Sequence, residues 1–522
     1  MKIDELYALL RRRGVLWPTA EIYGGAQGLY DYGPLGAQLK RQIEDAWRAW
    51  FVGLSEDYYW IDPAEILPEP VLRASGHLEN FTDPEVTCGS CHHSFRADTV
   101  LETSRPDGVD GLSPEEIGTL LRAAKARCPK CGSTDLSVPK PFHMMFPLTL
   151  GAGDGERAYL RPETAQSSYL SFPRMWDVGR KALPLGVAVV GKAYRNEIAP
   201  RQVLYRLRAL TQAELQIFFD PESFPVPLAA LADQRLPVVR ASARERGEAT
   251  PVPSSPESLV RDGGLPEFYV FHLAHTYRFY REVLGVPADR IRLWEKSDAE
   301  RAFYNRIQFD VEVRLDSLGG FKELGAVHYR GDYDLQRHSE GSGEDLSVAK
   351  PEGSGRVLPH VLELTFGVDR ALWAVADLGM QVEVERTVWR LPAPLAPVTI
   401  GVFPLIRKAH SPFAHDLADR LAREGLRSDF DAAGTIGKRY ARADEAGTPF
   451  CATVDGTTVD PSSSEHGTVT LRERDTKQQR RVSVDALIGT VRTAQLLVRA
   501  PGYPPATRPA GAPRGSSSEP AE

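Results

Sequence analysis

The sequence predicts a mixed α/β (α+β) fold in more than one domain, and three features support this prediction. The chain has 522 residues, whereas single hydrophobic cores stop growing at about 250–300 residues. Residues 141 to about 390 alternate strand-like apolar runs with loops. From residue 398 to about 497 the order is strand, helix, strand, helix, strand, which indicates a small separate α/β domain.

The bulk composition is that of a soluble globular protein, with 42% hydrophobic and 25% charged residues. It contains no apolar run of about 18 residues, so we expect no membrane span. The N-terminal segment MKIDELYALLRRRGVLW includes acidic side chains and lacks a long apolar core, which argues against a secretory signal. We therefore expect a cytoplasmic protein. The net charge of −7 excludes a uniformly basic surface but leaves room for a local basic patch.

The N-terminal part of the chain, up to about position 85, predicts two helices. A short N-terminal helix carries LYALL on its buried face, and a turn-rich stretch from residue 28 leads into an amphipathic helix that ends near residue 52. A polar helical segment follows at 113–126. An insertion at about 222–300 contains FYVFHLAHTYRFYREVLG, which has helical periodicity, so we expect a helical insertion.

The segment 194–219 predicts a hairpin with charges on one face. Strand-like AVVGKAY precedes it, a run ending in LQIFF closes it, and the proline-containing EIAPRQ forms the connecting loop. Four arginines lie between Glu197 and Glu214 or beside them. By itself this pattern leaves two interpretations open, a solvated face and an anion-binding site.

The end of the chain predicts a domain boundary and a tail. The run 389–405 places three prolines before a new apolar strand, which favours a boundary there. Residues 498–522 are rich in Pro, Gly, Ser and Ala, so we expect a disordered tail.

Four of the five cysteines form two C-x-x-C pairs, Cys88 with Cys91 and Cys128 with Cys131. This spacing is typical of a tetrathiolate zinc site, because each turn brings two thiolates to one tetrahedral metal. Four thiolates would close the coordination shell, so the predicted zinc is structural. Unmetallated cysteines are the alternative. Cys451, on an apolar strand, is predicted to be a core residue.

Several motifs together resemble glycyl-tRNA synthetase of the dimeric, class II type. They are GLYDYGPLG (28–36), ASGHLENFTDPEVTCGSC (74–91), CPKCG (128–132), RPETAQ (161–166), GKAYRNEIAPR (191–201), RGDYDL (330–335), GVDRA (367–371) and GTIGKRYARADEAGTPFCATVD (434–455). They occur in the family's order and cover almost the whole chain apart from the tail.

The resemblance implies a class II catalytic domain at 1–390, built on an antiparallel sheet flanked by helices. It carries a zinc-ribbon-like insertion at 86–140 and the helical insertion at about 222–300. An anticodon-binding domain would follow at 396–497. The implied reaction is ATP-dependent activation of glycine to glycyl-adenylate and transfer to the 3′ end of tRNA(Gly). The implied assembly is a homodimer, which the apolar helix and strand near 36–75 also favour.

The resemblance also implies the catalytic and ATP-binding residues. Arg195 would bridge the substrate carboxylate and the α-phosphate, Arg206 and Arg370 would contact the γ-phosphate, and Glu197 would accept from the adenine amino group. Mg²⁺ would bridge phosphate oxygens. The implied catalytic pair is Arg195 and Arg370, and the ATP set is Arg195, Asn196, Glu197, Tyr205, Arg206, Leu207, Arg208, Ala209, Leu210, Glu323, Leu324, Gly367, Val368, Asp369 and Arg370.

Glycine offers no side chain, so recognition has to hold its ammonium with carboxylates and leave no room at the α-carbon. The glycine set implied by the resemblance is Arg96, Glu163, Leu210, Thr211, Gln212, Ala213, Glu214, Arg330, Glu363, Leu364, Thr365, Phe366 and Gly367. In the C-terminal domain, Lys438, Arg439, Tyr440 and Arg442 would contact tRNA, since cations and aromatic rings suit unstacked bases. Without the resemblance, a solvated helix start is the alternative there.

The chain departs from the family pattern within the implied active site. Ala209–Leu210 replace Glu-Phe, Leu364–Thr365 replace Pro-Ser, and Ser167, Gln216, Gly325 and His328 each differ from the family residue. These departures leave two alternatives to a glycine–tRNA ligase. One is a non-catalytic paralogue that binds tRNA or a partner, and the other is a class II enzyme for a different small amino acid.

Overall fold

The computed structural model describes residues 1–101, 112–153, 155–302, 304–350, 355–498 and 500. The tail predicted to be disordered lies outside the described residues from position 501 on. The α-helices are Ile3–Arg12, Pro34–Phe51, Glu69–Ala74, His77–Asn80, Ala97–Leu101, Pro114–Ala123, Ala165–Val178, Ala241–Glu245, Pro256–Arg261, Glu267–Arg278, Tyr333–Ser342, Val368–Gly379, Arg407–Arg423, Ile436–Glu445, Gly456–Val459 and Val484–Gln495.

A nine-stranded sheet forms the centre of the chain that precedes the predicted domain boundary. Its strands are β1 (Tyr58–Ile61), β2 (Leu185–Tyr194), β3 (Ala209–Phe219), β4 (Leu236–Val239), β5 (Val252–Ser254), β6 (Ile291–Glu295), β7 (Ile307–Leu315), β8 (Gly320–Gly331) and β9 (His360–Gly367). Across the sheet they run β5-β4-β6-β7-β8-β9-β3-β2-β1. All neighbours are antiparallel except β4–β6 and β1–β2. The predicted antiparallel-dominated class is confirmed.

The predicted hairpin is also confirmed. Strands β2 and β3 pair antiparallel from Leu185–Phe218 to Tyr194–Ala209, and residues 195–208 form the connecting loop. Strand β3 is buried along almost its whole length, because β9 lies on its other side and helices cover the sheet.

Helices pack against one face of this sheet, and together they form a continuous hydrophobic core. The predicted amphipathic helix begins with Pro34 at its first position, where the missing N–H costs no hydrogen bond. It buries Trp47, Trp50 and Phe51 against the core that the helix Val368–Gly379 also joins. The predicted N-terminal helix is Ile3–Arg12, and it buries Leu6 and Leu10.

The stretch at about 222–300 differs from the predicted helical insertion. It contains the helix Glu267–Arg278, extended by a π-helical turn at Phe279–Val283, but also β4, β5 and β6, which extend the main sheet. These strands are short, and β4 and β5 contain prolines. Strands this short leave too little alternation to be recognised by periodicity.

The C-terminal domain has the predicted alternation. Its strands β10 (Ile400–Pro404), β11 (Ser428–Phe430), β12 (Phe450–Val454), β13 (Thr468–Glu473) and β14 (Gln479–Ser483) form a sheet in the order β11-β10-β12-β13-β14. The helices Arg407–Arg423 and Ile436–Glu445 connect its parallel strands. Cys451 is buried on β12, as predicted.

Smaller sheets complete the described structure. Three of them have two strands each: Leu16–Pro18 with Tyr30–Tyr32, Val348–Ala349 with Arg356–Val357, and Met380–Val382 with Thr387–Trp389. Two have three strands each. The first contains, in spatial order, Ile66–Pro68, Glu156–Leu160 and Pro147–Leu150, and the second contains Ser94–Arg96, Thr82–Thr87 and Lys140–His143. Among the residues described, no helix has the length and apolarity needed to cross a membrane.

Candidate active site

A cavity of about 500 Å³ opens on the face of the main sheet between β3, β8, β9 and the 195–208 loop. The segment around Phe81–Asp83, next to the cysteine-containing region, forms a further wall. The helix Val368–Gly379 contributes Asp369 and Arg370 from its first turn.

Strand register explains why the acidic side chains meet. Glu214 on β3 lies opposite Thr365 on β9, and Gln216 lies opposite Glu363. On the other side of β9, Glu363 lies opposite His328 of β8. Since side chains alternate between the two faces of a strand, these five residues point to one face, and the core residues between them point to the other.

Glu363 is surrounded by hydrogen-bond donors. Its Oε2 accepts from Arg330 Nη1 at 2.8 Å and from the Tyr169 hydroxyl at 3.4 Å, and its Oε1 accepts from the Thr365 hydroxyl at 2.6 Å. Burial alone would raise the pKa of Glu363, but the charge of Arg330 outweighs it, so the pKa is lowered. This carboxylate is therefore ionised and already paired.

The other two glutamates differ in charge state. Burial would raise the pKa of Glu163, but His77, 3.5 Å away, and Arg330 hold it well below its usual range. Glu214 accepts from the Thr164 hydroxyl at 2.7 Å. Burial, together with the charges of Glu363 and Glu163, raises the pKa of Glu214 to about 8. By itself Glu214 thus holds a proton at neutral pH, which a bound cation would displace.

Five arginines line the cavity, and three of them are Arg195 and Arg206 of the 195–208 loop and Arg370 of the helix Val368–Gly379. Arg195, at the end of β2, donates from Nε to the Pro162 carbonyl at 3.1 Å and lies over the Phe81 ring. Arg370 pairs with Glu323 at 3.1 Å and stacks over the Tyr205 ring, 4.6 Å from its centroid.

The third arginine, Arg206, faces Glu197 at 3.9 Å. Both Glu197 Oε2 and Arg206 Nη1 are buried without a hydrogen-bond partner among the described residues. Buried polar atoms in proteins normally have a hydrogen-bond partner. These two atoms therefore indicate a ligand that offers a donor to Glu197 and an acceptor or anionic oxygen to Arg206.

Arg208 and Arg96 act differently from these three. Arg208 donates to the Glu197 and Gln27 carbonyls, so it anchors the 195–208 loop instead of facing the cavity. Arg96 lines the cavity but is held by Asp83 and Asp98, and its charge acts on Glu197. This places it near the Glu197 end, and its predicted contact with glycine stays a prediction.

Most of the predicted site residues line the cavity. From the ATP set these are Arg195, Glu197, Tyr205, Arg206, Leu207, Leu210, Glu323, Leu324, Gly367, Asp369 and Arg370, and from the glycine set Arg96, Glu163, Leu210, Thr211, Gln212, Glu214, Arg330, Glu363, Thr365 and Gly367.

Other predicted residues need correction. Ala213, Leu364, Phe366 and Val368 belong to the core cluster behind the sheet, because strand alternation or the buried helix face turns them away from the cavity. Asn196 and Ala209, like Arg208, are not among the lining residues. Arg330 lines the cavity, and all three nitrogens of its guanidinium donate to Asp334 or Glu363, so its main role in this structure is to neutralise these carboxylates.

The structure adds lining residues that the motif comparison did not assign. They are Asn80, Phe81, Thr82, Asp83, Met144, Leu204, Tyr304, Gly325 and His328. Phe81–Asp83 lie inside the motif ASGHLENFTDPEV, so their sequence signal was present. Gly325 and His328 were recognised only as departures, and Tyr304 lies in a segment without a motif.

The four cysteine sulfurs converge at a separate site, with all four within 4.8 Å of one another. The sulfurs of Cys88 and Cys131, and those of Cys91 and Cys128, are 3.6 Å apart. A tetrahedron with Zn–S bonds of about 2.3 Å has edges of ~3.8 Å. His92 and Gly132, which follow each pair, both have positive φ and donate backbone N–H to the carbonyls of Cys88 and Cys128. The donor set and its spacing therefore fit zinc.

The predicted tRNA contacts divide into exposed and buried residues. Lys438 is exposed. Arg439 is only 3% exposed, and its guanidinium binds the carbonyls of Pro404, Ala432 and Gly434. The prediction is corrected for Arg439, which stabilises the loop before its helix.

The other two predicted tRNA residues are partly engaged. Tyr440 shares a hydrogen bond with Thr453 and lies under Arg472. Arg442 pairs with Asp431 and the Ala433 carbonyl. These intramolecular contacts do not prevent Tyr440 or Arg442 from also binding tRNA, so the predicted tRNA contacts of both residues stay predictions.

Comparison with known proteins gives full-length relatives. The family model described as an anticodon binding domain matches residues 395–494. The glycine–tRNA ligase of Thermococcus gammatolerans is 35% identical over 94% of this chain and 98% of its own length. That of Aeropyrum pernix is 36% identical over 94% of this chain and 96% of its own.

Among solved structures, prolyl-tRNA synthetase from Cryptosporidium parvum complexed with L-proline and AMP matches with a TM-score of 0.56. The match covers 94% of this chain and 75% of that chain at 13% sequence identity. At this identity the likeness concerns the fold alone.

Proposed function

The chain belongs to the glycine–tRNA ligase family, and we propose that its cavity forms glycyl-adenylate from glycine and ATP and passes the glycyl group to tRNA(Gly). One observation carries the assignment of the cavity. Five glutamates, among them Glu163, Glu214 and Glu363, and five arginines, among them Arg195, Arg206 and Arg370, line a single cavity of about 500 Å³. Carboxylates suit an ammonium, and arginines suit phosphates.

Glycine would bind at the glutamate end. Its ammonium would take the place of the proton on Glu214 and lie near Glu163, because Glu363 is already paired with Arg330 and Thr365. The substrate would thereby neutralise a carboxylate that lacks a cation of its own. A pocket with this charge balance favours a substrate that has a free ammonium group and no further charged group at this end.

ATP would bind at the arginine end. In the first step the glycine carboxylate attacks the α-phosphate and pyrophosphate leaves, so two anions have to approach each other. Arg195 would bridge them, and Arg206 and Arg370 would stabilise the charge on the departing pyrophosphate. Glu197, whose Oε2 accepts no hydrogen bond among the described residues, would accept from the adenine amino group.

Mg²⁺ would be held mainly by ATP phosphates. It binds through substrate phosphates and one or two carboxylates. The chain offers Glu323, which lines the cavity and pairs with Arg370. Magnesium would neutralise phosphate charge there, and Glu323 would orient both the ion and Arg370.

The four cysteines would hold a structural zinc ion. Their sulfur spacing and the matched turns support this, and the closed set of four thiolates leaves no position for water. The ion would stabilise the region next to Phe81–Asp83, which forms one cavity wall.

The proposal divides the chain at about residues 390–396. Residues 1–390 would be the catalytic domain, with a zinc-ribbon-like insertion at 86–140, and 396–497 would bind the anticodon. The match of residues 395–494 to an anticodon binding domain supports this division.

We further expect a cytoplasmic homodimer. The half-exposed Trp60 on the edge strand β1 and the highly exposed Ile22 and Tyr23 supply apolar surface for a second copy. Light scattering of the purified protein tests this expectation, and a monomer at micromolar concentration would contradict it.

The test of the proposed function is exchange of labelled pyrophosphate into ATP, run with glycine, alanine and serine. We expect exchange with glycine alone and its loss in Arg195→Ala, which keeps the fold because the side chain lies at the cavity surface. Exchange with another amino acid would instead indicate a sister class II enzyme. Folded protein that binds tRNA but catalyses no exchange would indicate a non-catalytic paralogue.

A further inference from the structure

His328 is a cavity residue for which the resemblance supplies no role. It lies on β8 directly opposite Glu363, and its Nε2 is 3.6 Å from Glu363 Oε1. The side chain is largely buried, and the cavity that holds the three glutamates includes it in its wall.

A chain of hydrogen bonds determines which ring nitrogen of His328 carries the proton. Lys296 pairs with Asp310 at 3.2 Å, and Gln308 donates from Nε2 to Asp310 Oδ1 at 2.9 Å. The carbonyl oxygen of the Gln308 amide is therefore turned to Asn305, whose Nδ2 donates to it at 3.1 Å.

The same Asn305 amide group donates to His328 Nδ1 at 3.0 Å. An acceptor nitrogen carries no proton, so in the neutral ring the proton lies on Nε2 and points toward Glu363. Burial lowers the pKa of His328, which keeps the ring neutral despite Glu363.

The strand residues beside His328 on the same sheet face are small or polar, whereas the larger Tyr304 and Arg330 also line the cavity near the glutamates. Thr365 and Ala326 lie opposite each other on β9 and β8, and Gln216 lies beside Glu363 on β3. Among these residues on the same face, the imidazole of His328 is the bulkiest group. It stands beside the carboxylates that would receive the substrate ammonium.

We propose that His328 is a specificity-determining residue of the amino-acid pocket, filling the space that a substrate side chain would need, with its Nε2–H directed at the Glu363 carboxylate 3.6 Å away. Asn305 is the positioning residue that orients the ring. This inference rests on the proposed function, since it concerns the amino acid used in that reaction.

The test compares glycine- and alanine-dependent pyrophosphate exchange in His328→Ala. We expect alanine-dependent exchange to appear, so that the ratio of kcat/KM for glycine to that for alanine falls by about 10- to 200-fold, the range for one methylene-sized difference. An unchanged KM for ATP reports an intact cavity. An unchanged glycine-to-alanine ratio would overturn the proposal.

Two further variants separate filling from positioning. Asn305→Ala keeps the ring but releases it, so we expect a higher KM for glycine with kcat and the alanine ratio little changed. His328→Gln can still direct an N–H toward Glu363, so its KM for glycine should lie between those of wild type and His328→Ala. Equal behaviour of His328→Ala and His328→Gln in both readouts would remove the hydrogen-bonding role.

His360→Ala is the matched control. His360 lies on the neighbouring strand β9 and bonds to the Tyr329 hydroxyl at 2.6 Å, outside the cavity-lining set. It should leave the glycine-to-alanine ratio as in wild type. Absence of glycine exchange in wild type would defeat the proposed function itself, whereas normal wild-type exchange with an unchanged ratio in His328→Ala would defeat this inference alone.

Discussion

At the scale of single residues, the cavity separates three glutamates by their partners. Glu363 has Arg330 and Thr365, Glu163 has His77 and Gln166, and Glu214 has a hydroxyl from Thr164. The same residue type thus occurs in two charge states within one pocket, because buried carboxylates without a cation hold their protons. Because of this difference, we expect Glu214 to be the group that responds to substrate.

Glu214 predicts a pH-dependent stability. Its pKa is about 8 in the folded chain, above the value of about 4.3 for a free glutamate. A raised folded-state pKa gives stability that is complete below the unfolded pKa and is lost as pH rises toward 8. In Glu214→Gln, which can still accept from Thr164, we expect a Tm advantage over wild type that grows between pH 5 and pH 8 by a few degrees.

The measurement for Glu214 is thermal unfolding at pH 5, 6.5 and 8 without ligands. Glycine-dependent exchange should be lost in the same variant. Glu312→Gln is the control, since Glu312 is paired with Arg292 outside the cavity. Parallel pH curves for wild type and Glu214→Gln would show that Glu214 is ionised in the ligand-free protein.

Leu210 predicts a weakened hold on adenine. It lines the cavity where the family resemblance implies an aromatic ring, and a leucine side chain has no π-face. Stacking on an aromatic side chain contributes about 1–3 kcal/mol per base. We expect Leu210→Phe to lower the KM for ATP by roughly 5- to 100-fold in glycine-dependent exchange.

Ala209→Glu is the control for Leu210→Phe. It restores the neighbouring departure, but Ala209 does not line the cavity. If Ala209→Glu lowered the KM for ATP as much as Leu210→Phe does, loop conformation rather than stacking would explain the effect.

At the scale of elements, the two cysteine turns explain how a metal site can form. Each cysteine pair ends in a left-handed residue that closes the turn by a backbone hydrogen bond. The two ordered turns bring four thiolates together, although the two cysteine pairs are well separated in the sequence.

The proposed zinc site predicts that one wall of the cavity depends on the metal. Cys128→Ser should reduce bound zinc from one ion per chain to a small fraction and lower Tm, measured by elemental analysis and thermal unfolding. We also expect a higher KM for ATP, because Phe81–Asp83 adjoin this region. Cys451→Ser, which removes a buried cysteine elsewhere, should keep the zinc. Wild-type protein purified without zinc or another metal would contradict the assignment.

At the scale of the whole molecule, ion pairs join the C-terminal domain to the preceding residues. Arg386 donates to the buried Asp444 at 2.7 Å, and Arg390 pairs with Asp475 at 3.1 Å. Arg12 and Arg13 of the N-terminal region both reach Glu445. The helix that carries Lys438 is therefore attached at its C-terminal end to residues that precede the C-terminal domain.

Substitutions of the neighbouring residues Lys438 and Arg439 should have different effects, one on tRNA binding and the other on stability. Lys438→Ala removes an exposed cation, so we expect the KM for tRNA in aminoacylation to rise about 2- to 10-fold with glycine-dependent exchange and Tm unchanged. Arg439→Ala removes a guanidinium that holds three carbonyls, so it should lower Tm. A Tm loss in Lys438→Ala or a tRNA effect without destabilisation in Arg439→Ala would reverse the two roles.

Much of this organisation could be predicted from the sequence, for physical reasons. The β2–β3 hairpin, the cysteine turns and the C-terminal alternation are local patterns with clear periodicity or spacing. Strands β4 and β5 were missed because they are too short to show alternation. The burial of Arg439 was missed because its partners are backbone carbonyls, and the engagement of Arg330 was missed because one of its partners, Glu363, lies on a different strand. The order Asn305–His328–Glu363 depends on strand register and has no sequence signal.

The most direct test of the central claim, that this cavity forms glycyl-adenylate, is a crystal structure with a non-hydrolysable glycyl-adenylate analogue. We predict its ammonium between Glu163 and Glu214, its phosphate-mimicking group at Arg195, and its adenine amino group at Glu197. An analogue bound with its ammonium away from Glu214, or bound outside this cavity, would contradict the account.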